Sequence, residues 1–515
     1  MPPTKTTAPI NTTQRLGSVV KSVRDIMRKD KGLNGDADRL PMLTWMMFLK
    51  FLDDLEHSAE ADAILEQRPY KPLLVAPYRW RDWASATDKE HVPPTGDDLI
   101  AFVNNDEVML PSGIRGKGLF AYLRALQGDG ATDRRNVVST VFKGTINRMV
   151  NGYSMREVLE KLDTLSFTSS QETYTLSQLY EGLLKEMRDA AGDAGEFYTP
   201  RAVVKLMVRM LNPQMGETVY DPACGTGGFL VEAFEHLKTQ AKTTQDIVKL
   251  QTDSVLGGEA KPLPYLLAQM NLTLHGLNAP RIDSGNSLRF NLSDITDADR
   301  VDVILANPPF GGEEERHIQH NFPADKRTNE TALLFLQMIM KKLRRISKTS
   351  TGGRAALIVP NGTLFADGVA ARIKQQMLED FNLHTIVRLP NGIFAPYTSI
   401  PTNLLFFSRS GAPTTDIWYF EHTLPAGRKN YTKTQPVQLE EFQPLMDWWN
   451  KRETNDRAWQ VSAEVIKQNN YNLDIKNPSA QQDLQHLPPA QLLEDILSKE
   501  SRILEILQEL KKALI

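Results

Sequence analysis

The feature that most restricts the fold is an alternation that begins near Ala190. Short β-type runs, Thr218 to Tyr220, Ser254 to Leu256, Val301 to Ala306, Ala355 to Val359, Thr385 to Leu389 and Asn403 to Phe407, are separated by stretches of helical pattern. Those stretches are Arg201 to Leu211, Gly228 to Thr239, Pro262 to His275, Thr331 to Ile346 and Gly368 to Asp380. Parallel strands need a crossover connection, usually a helix, so strand, helix, strand in series predicts an α/β fold with a mostly parallel, doubly wound sheet of Rossmann-like type.

Upstream the pattern differs. From Leu16 to about Leu55 the apolar residues fall at helical spacing (Val19, Val20, Val23, Ile26 and Met27, then Met42, Trp45, Met46, Phe48, Leu49 and Leu52), with no strand-like alternation. Prolines 69, 72, 77, 93, 94 and 111 imply irregular surface connections between helices that continue to about Met187. The expected division is a flexible tail over 1–15, an all-helical domain over 16–189, an α/β domain over 190–475 and a C-terminal helical segment over 476–515. In that last segment Ile496, Ile503 and Leu510 lie seven residues apart, with Leu507 and Leu514 on a second row. Such a short heptad seam is weak as an isolated helix and calls for a partner, or for packing on its own domain.

Charge and cysteine content exclude several classes. Lys and Arg total 60 against 63 Asp and Glu, a formal charge of -3, so contact with nucleic acid has to be local or shared with a partner. One cysteine, Cys224, forms no internal disulfide, and the 9 histidines show no zinc-type spacing, so no metal is expected. The N-terminus lacks an apolar signal core, and Leu43 to Leu52 is far shorter than the roughly 20 residues of a spanning helix. A cytoplasmic protein without a membrane contact is expected.

The chemistry concentrates at the ends of the predicted strands. Asp221 to Phe229 (DPACGTGGF) follows one strand and opens a helix. Its glycines permit a tight turn and close backbone approach to a ligand, and the helix start offers unpaired N–H groups. It is neither the GxGxxG fingerprint nor a Walker loop, and alone it fixes only turn geometry. Glu259 ends the next strand, where a carboxylate can accept hydrogen bonds from ribose hydroxyls, although it lies farther from the glycines than the roughly 20-residue spacing of dinucleotide folds. The decisive run is Val301 to Gly311, a buried-type strand ending in Asn307-Pro308-Pro309-Phe310. Two prolines remove two N–H donors and leave acceptors: the Asn307 side-chain carbonyl and the Pro308 main-chain carbonyl. Two acceptors holding the hydrogens of a ring-conjugated amine favour its nucleophilic form as it attacks a methyl donor. The Phe310 ring can hold a base turned out of a duplex.

The set Gly195 to Arg201 (GEFYTPR), Asp221 to Phe229, Glu259 and Asn307 to Phe310 resembles the γ arrangement of amino-methyltransferases. More closely, it resembles the modification subunit of type I restriction-modification systems, over most of the chain. By that resemblance Glu196, Phe197, Tyr198, Thr199, Pro200, Arg201, Asp221, Gly225, Thr226, Gly227, Gly228 and Phe229 border S-adenosylmethionine, and Glu259 holds its ribose. Asn286 stands where the family often has an acidic residue beside the adenine, a neutral departure. Asn307, Pro308, Pro309 and Phe310 become the catalytic run for transfer to adenine N6. Phe394, in the Leu389 to Phe394 run, is a candidate second aromatic wall, with plain core as the alternative. The polar segment Gly311 to Asn329 is a solvated loop or a flap near DNA.

The same resemblance implies partners. They are DNA, a specificity subunit serving two modification subunits, and a motor-nuclease subunit in the full complex. Two other readings compete. A protein glutamine methyltransferase uses the same acceptor trick but is shorter and usually ends the motif in Tyr. A silent DNA-binding scaffold predicts damage at Asn307 or its prolines, and all are intact.

Overall fold

The computed structural model describes residues 12–85, 92–129, 133–166, 199–395, 400–425, 427–432 and 435–479, with positions 497, 499–501, 503, 506 and 507 of the tail. The first part is built around the helix Asp36–Leu65, which buries Leu40 and every residue from Met42 to Asp54. Its charged members are paired: Lys50 Nζ meets Asp54 at 2.5 Å, and Arg81 meets Asp53 at 3.1 Å. Helices Thr12–Met27, Gly96–Asn104, Arg134–Lys143 and Gly152–Asp163 pack around it. One departure from an all-helical domain is a hairpin of β1 (Glu107–Met109) and β2 (Arg115–Lys117). Its turn is closed by Leu110 accepting from Gly113 N at 2.9 Å, with Gly113 at φ +77°, a local signal too short to register as a strand pattern.

The second part is a nine-stranded sheet in the order β11-β10-β8-β9-β7-β6-β3-β4-β5. The strands are β3 (Val219–Asp221), β4 (Val255–Gly258), β5 (Arg281–Asp283), β6 (Val303–Ala306), β7 (Arg354–Pro360), β8 (Asn382–Arg388), β9 (Thr402–Ser408), β10 (Asp416–Glu421) and β11 (Ala458–Ser462). β3 is parallel to both β4 and β6, β4 to β5, β6 to β7 and β8 to β10, while β9 and β11 run antiparallel to their neighbours. The chain winds outward from β3 through β4 to β5 and then returns to lay β6 on the other side of β3. That reversal opens a crevice at the carboxyl ends of β3 and β6, where ligands of such sheets bind.

Strands covered on both faces read as continuous apolar runs, which is why β6 and β9 were legible. Along β6, Val303 and Leu305 join the core shared with the first part, whereas Ile304 and Ala306 join the core under helices Thr331–Lys342 and Val369–Asp380. The expected strands and helices form with ends shifted by a few residues; Thr331–Lys342 stops four residues before Ile346. β5, β10 and β11 were not anticipated. β5 is three residues long and alternates exposed, buried, exposed.

Helix Pro262–Leu274 joins the two parts. It is buried at every position from Pro264 to Leu274, packing on Asp36–Leu65 and Arg134–Lys143 from one side and on Gly228–Lys238 from the other. Arg134 Nε adds a bond to the Asn278 carbonyl at 3.0 Å. No described helix is long and apolar enough to cross a membrane. Leu272 is fully buried in this seam. Leu272→Ala is expected to cost about 2–5 kcal/mol of unfolding free energy, measured by denaturant titration.

Candidate active site

β3 ends in Asp221 and the chain turns through Pro222 to Gly227 into the helix Gly228–Lys238. Gly227 sits at φ +79°, a conformation costly for any residue with a Cβ, and it faces Ala268 of the buried connecting helix. The loop is fastened at several points. Cys224 N donates to the Gly258 carbonyl at 3.0 Å, and Asn271 Nδ2 donates to the Thr226 carbonyl at 3.0 Å. Glu259 Oε2 accepts from Gly225 N at 3.0 Å while Oε1 accepts from Lys261 N at 2.8 Å. That approach leaves no room at Gly258, where a Cβ would stand 2.2 Å from Ser287 Oγ and 3.1 Å from the Pro222 carbonyl.

Two carboxyls lie under the loop, and their environment sets their protonation. Burial pushes Asp221 up to about 8, with the Glu259 charge adding to the effect and a 3.1 Å bond from Ala223 N opposing it. Burial also raises Glu259, opposed by its two backbone donors and Lys261. The Cys224 thiol, between them, is held well above its ordinary range, first by burial and then by both carboxyls, so it is an unreactive packing group.

Across the crevice, Asn307 directly follows β6. Its Nδ2 donates to Thr199 Oγ1 at 3.1 Å, and its Oδ1 is buried without a hydrogen-bond partner among the described residues. An orphaned buried acceptor is costly and calls for a donor from outside the chain. Beside it Pro308 is buried and Phe310 is half-buried. The Phe310 ring meets that of buried Phe394 edge-on, with centroids 6.0 Å apart and planes at 83°.

Two family models match the chain. One described as N-6 DNA Methylase matches residues 171–486, and one described as HsdM N-terminal domain matches 16–122. The methylase subunit of the type I restriction enzyme EcoEI from Escherichia coli is 44% identical, over 97% of each chain. The chain belongs to the N-6 DNA methylase family, among the methylase subunits of type I restriction enzymes. The crystal structure of a modification subunit from Vibrio vulnificus YJ016 superposes with a TM-score of 0.85 at 61% identity, covering 93% of this chain and all of that one. A chain from a study of complex assembly and conformational transition of the type I R-M system gives 0.76 at 38%, covering 98% and 99%.

This methylase subunit brings together most of the residues singled out in its sequence. Asp221, Gly225, Thr226, Gly227 and Gly228 follow the end of β3 and Glu259 that of β4, with Asn307 to Phe310 at the end of the adjacent β6, while Phe229 is buried in the core. Glu196, Phe197 and Tyr198 lie outside the described residues. Pro200 caps the helix Arg201–Leu211, and Arg201 Nη1 reaches the Gly228 carbonyl at 3.1 Å. Thr199, expected at the cofactor, directs its hydroxyl to Asn307.

Asn286 is engaged on both sides. Its Oδ1 accepts from Leu288 N at 2.9 Å, capping Ser287–Arg289, and its Nδ2 donates to Glu314 Oε2 at 3.1 Å. Glu314 was missed in the sequence because it sits in the polar segment after the catalytic run, where nothing marks one acid among Glu313, Glu314 and Glu315. It also accepts from Thr331 Oγ1 at 3.3 Å, tying that segment to the helix Thr331–Lys342.

The Asp221 carboxyl carries a pH signature. Its folded value, about 8, lies above the ordinary 3.8, so the native state holds a proton that the unfolded chain releases. The associated stability is complete below 3.8 and is lost as pH rises through about 8. Asp221→Asn, which keeps an acceptor for Ala223 N, is expected to flatten the decline of melting temperature across that window.

Proposed function

We propose that the crevice between the β3 loop and Asn307 binds S-adenosylmethionine and a flipped adenine side by side. The observation that carries this reading is the buried Asn307 Oδ1, without a partner among the described residues, placed by Thr199 and followed by the Pro308 carbonyl. The residues suit the cofactor. Glu259 is a buried carboxylate at the end of β4 with lone pairs left for ribose hydroxyls, and glycines keep the loop open. Arg201 and the first turn of Gly228–Lys238 offer positive charge to the cofactor's carboxylate, and Glu196 to Pro200 and Asn286 complete its surroundings. When bound, the cofactor supplies an electrophilic methyl group.

The chain's own groups do the rest. Asn307 Oδ1 and the Pro308 carbonyl accept the two N6–H hydrogens, which draws the nitrogen lone pair out of conjugation and stabilises the positive charge that develops on nitrogen. Pro309 stiffens the turn, and Phe310, braced by Phe394, stacks on the base. The family match disfavours a protein glutamine substrate, and the intact acceptor disfavours a silent scaffold.

The reading extends to architecture and partners. Residues 16–189 form the helical domain, 190–475 the methyl-transfer domain and 476–515 an assembly segment that meets the specificity subunit, two methylase subunits to one specificity subunit, with a motor-nuclease subunit joining the full complex in the cytoplasm. Of the heptad seam, Ile503 and Leu507 are helical and more than half exposed, as an uncovered seam requires; Ile496, Leu510 and Leu514 lie outside the described residues.

Asn307→Ala is expected to abolish methyl transfer while S-adenosylmethionine still binds by calorimetry. Phe310→Ala should weaken base capture by roughly 1–3 kcal/mol. Mass analysis of DNA methylated with the co-purified partners should show N6-methyladenine; N4-methylcytosine would reject the assignment. Glu259→Ala should weaken cofactor binding by about 1.5–3 kcal/mol, and unchanged affinity would remove Glu259 from the site. Truncation after Pro489 should keep cofactor binding and lose co-purification with the specificity subunit.

A further inference from the structure

A cavity of about 400 Å³ lies on the far face of the sheet, between the segment after the catalytic run and the helices Thr331–Lys342 and Val369–Asp380. Its size falls within the range of small-ligand pockets, about 300–1,000 Å³. It is distinct from the crevice described above. Lys341 belongs to the end of its helix where the Lys342 carbonyl accepts from Val301 N, just before β6, so this cation stands at the opposite edge of the sheet from Asn307.

The lining is chemically one-sided. Lys326, Lys341 and Arg409 reach it from three different elements, and no carboxylate is among its lining residues. Among the described residues neither Lys341 nor Arg409 makes an ion pair with a carboxylate. Lys326 has only Asp325, at 3.5 Å and largely exposed. Further cations crowd the same edge. Arg300 and Arg345 share Asp297, at 2.9 and 3.7 Å. Their mutual repulsion shows in Lys341, which is held below its ordinary range by burial and then by Arg300, Arg345 and Arg409, with Asp297 opposing. Arg409 is lowered by burial and by Arg300 and Arg345, with Asp380 and Asp297 opposing.

Arg409 is also held in place before any ligand arrives. Its guanidinium lies over the Phe381 ring at 4.6 Å, its Nη2 donates to the Met340 carbonyl at 3.3 Å, and its Nε is buried without a partner among the described residues. A planar fork fixed in this way suits an oxyanion with several equivalent oxygens, and the lysines add point charge. Leu292, Phe322, Met340 and Phe381 provide an apolar wall alongside.

We propose that this cavity is a second binding site, for a phosphate group held by Arg409, Lys341 and Lys326. The apolar wall gives the remainder of a nucleoside phosphate a surface to pack on. A DNA-backbone phosphate carries the same chemistry, and the experiment separates the two sources.

The full chain is titrated calorimetrically with inorganic phosphate, with adenosine monophosphate and with a short DNA duplex, for the wild type and for Lys326→Gln and Lys341→Gln, singly and together. Loss of a charged hydrogen bond should weaken binding about tenfold or more per cation removed. S-adenosylmethionine affinity should stay unchanged, which shows that the variants are folded and keeps this test independent of the crevice. Lys341→Arg should restore most of the binding. Weakened phosphate and monophosphate binding supports a free ligand, and weakening confined to the duplex supports the same site reading the DNA backbone. If the double variant binds all three probes as the wild type does, or if the wild type binds none, the proposal is overturned.

Discussion

The Glu259 carboxylate, accepting one backbone N–H from the glycine loop and another from the start of the connecting helix, is the contact on which the rest of the site depends. A carboxylate sunk this deep is unfavourable unless its oxygens are satisfied, and two main-chain donors do that, with the Lys261 charge adding to them. Through them the loop after β3, the end of β4 and the start of the helix Pro262–Leu274 are tied to one side chain. The close approach explains why β4 ends in two glycines. A Cβ on Gly257 would meet Leu230 at 2.8 Å, just as one on Gly258 would meet Ser287.

Against that fixed wall the sheet sets a second. Because the strand order reverses at β3, Asp221 and Asn307 emerge side by side although they are far apart in sequence. Thr199 then does a job that neither wall does alone, since its hydroxyl takes the Asn307 amide hydrogen and leaves the carbonyl oxygen as the group in need of a donor. The segment that precedes the glycine loop in sequence thereby orients the residue that follows β6.

Much of this was legible from residues alone where a constraint is local. The glycine turn, the Asn-Pro-Pro-Phe stop after a buried strand and the alternation of strand and helix each leave a mark within about ten residues. What escaped was either short or set by distant chain. β5 has three residues, β11 is an edge strand with one neighbour, and β10 interrupts its buried positions with half-buried ones, so none leaves a continuous apolar run. The Asn286 and Glu314 pair and the Thr199 bond join residues whose proximity only the assembled sheet creates. Phe394 shows the limit well: it is buried as core residues are, yet it braces Phe310.

The helix Pro262–Leu274 has no solvent face, since its outer side is covered by the helical domain and its inner side by the glycine loop. An amphipathic helix would let the catalytic half be cut free as a soluble fragment, but this one would present a largely apolar rod, with only Gln269, Asn271 and Thr273 polar along its buried length, where its cover had been. Substitutions on the inner faces of Asp36–Leu65 and Arg134–Lys143 are therefore felt at Thr226 and Gly227, through Asn271 and Ala268. The two halves must be inherited together, and recombination that swaps one helical domain for another has to preserve the shape of this one covered rod.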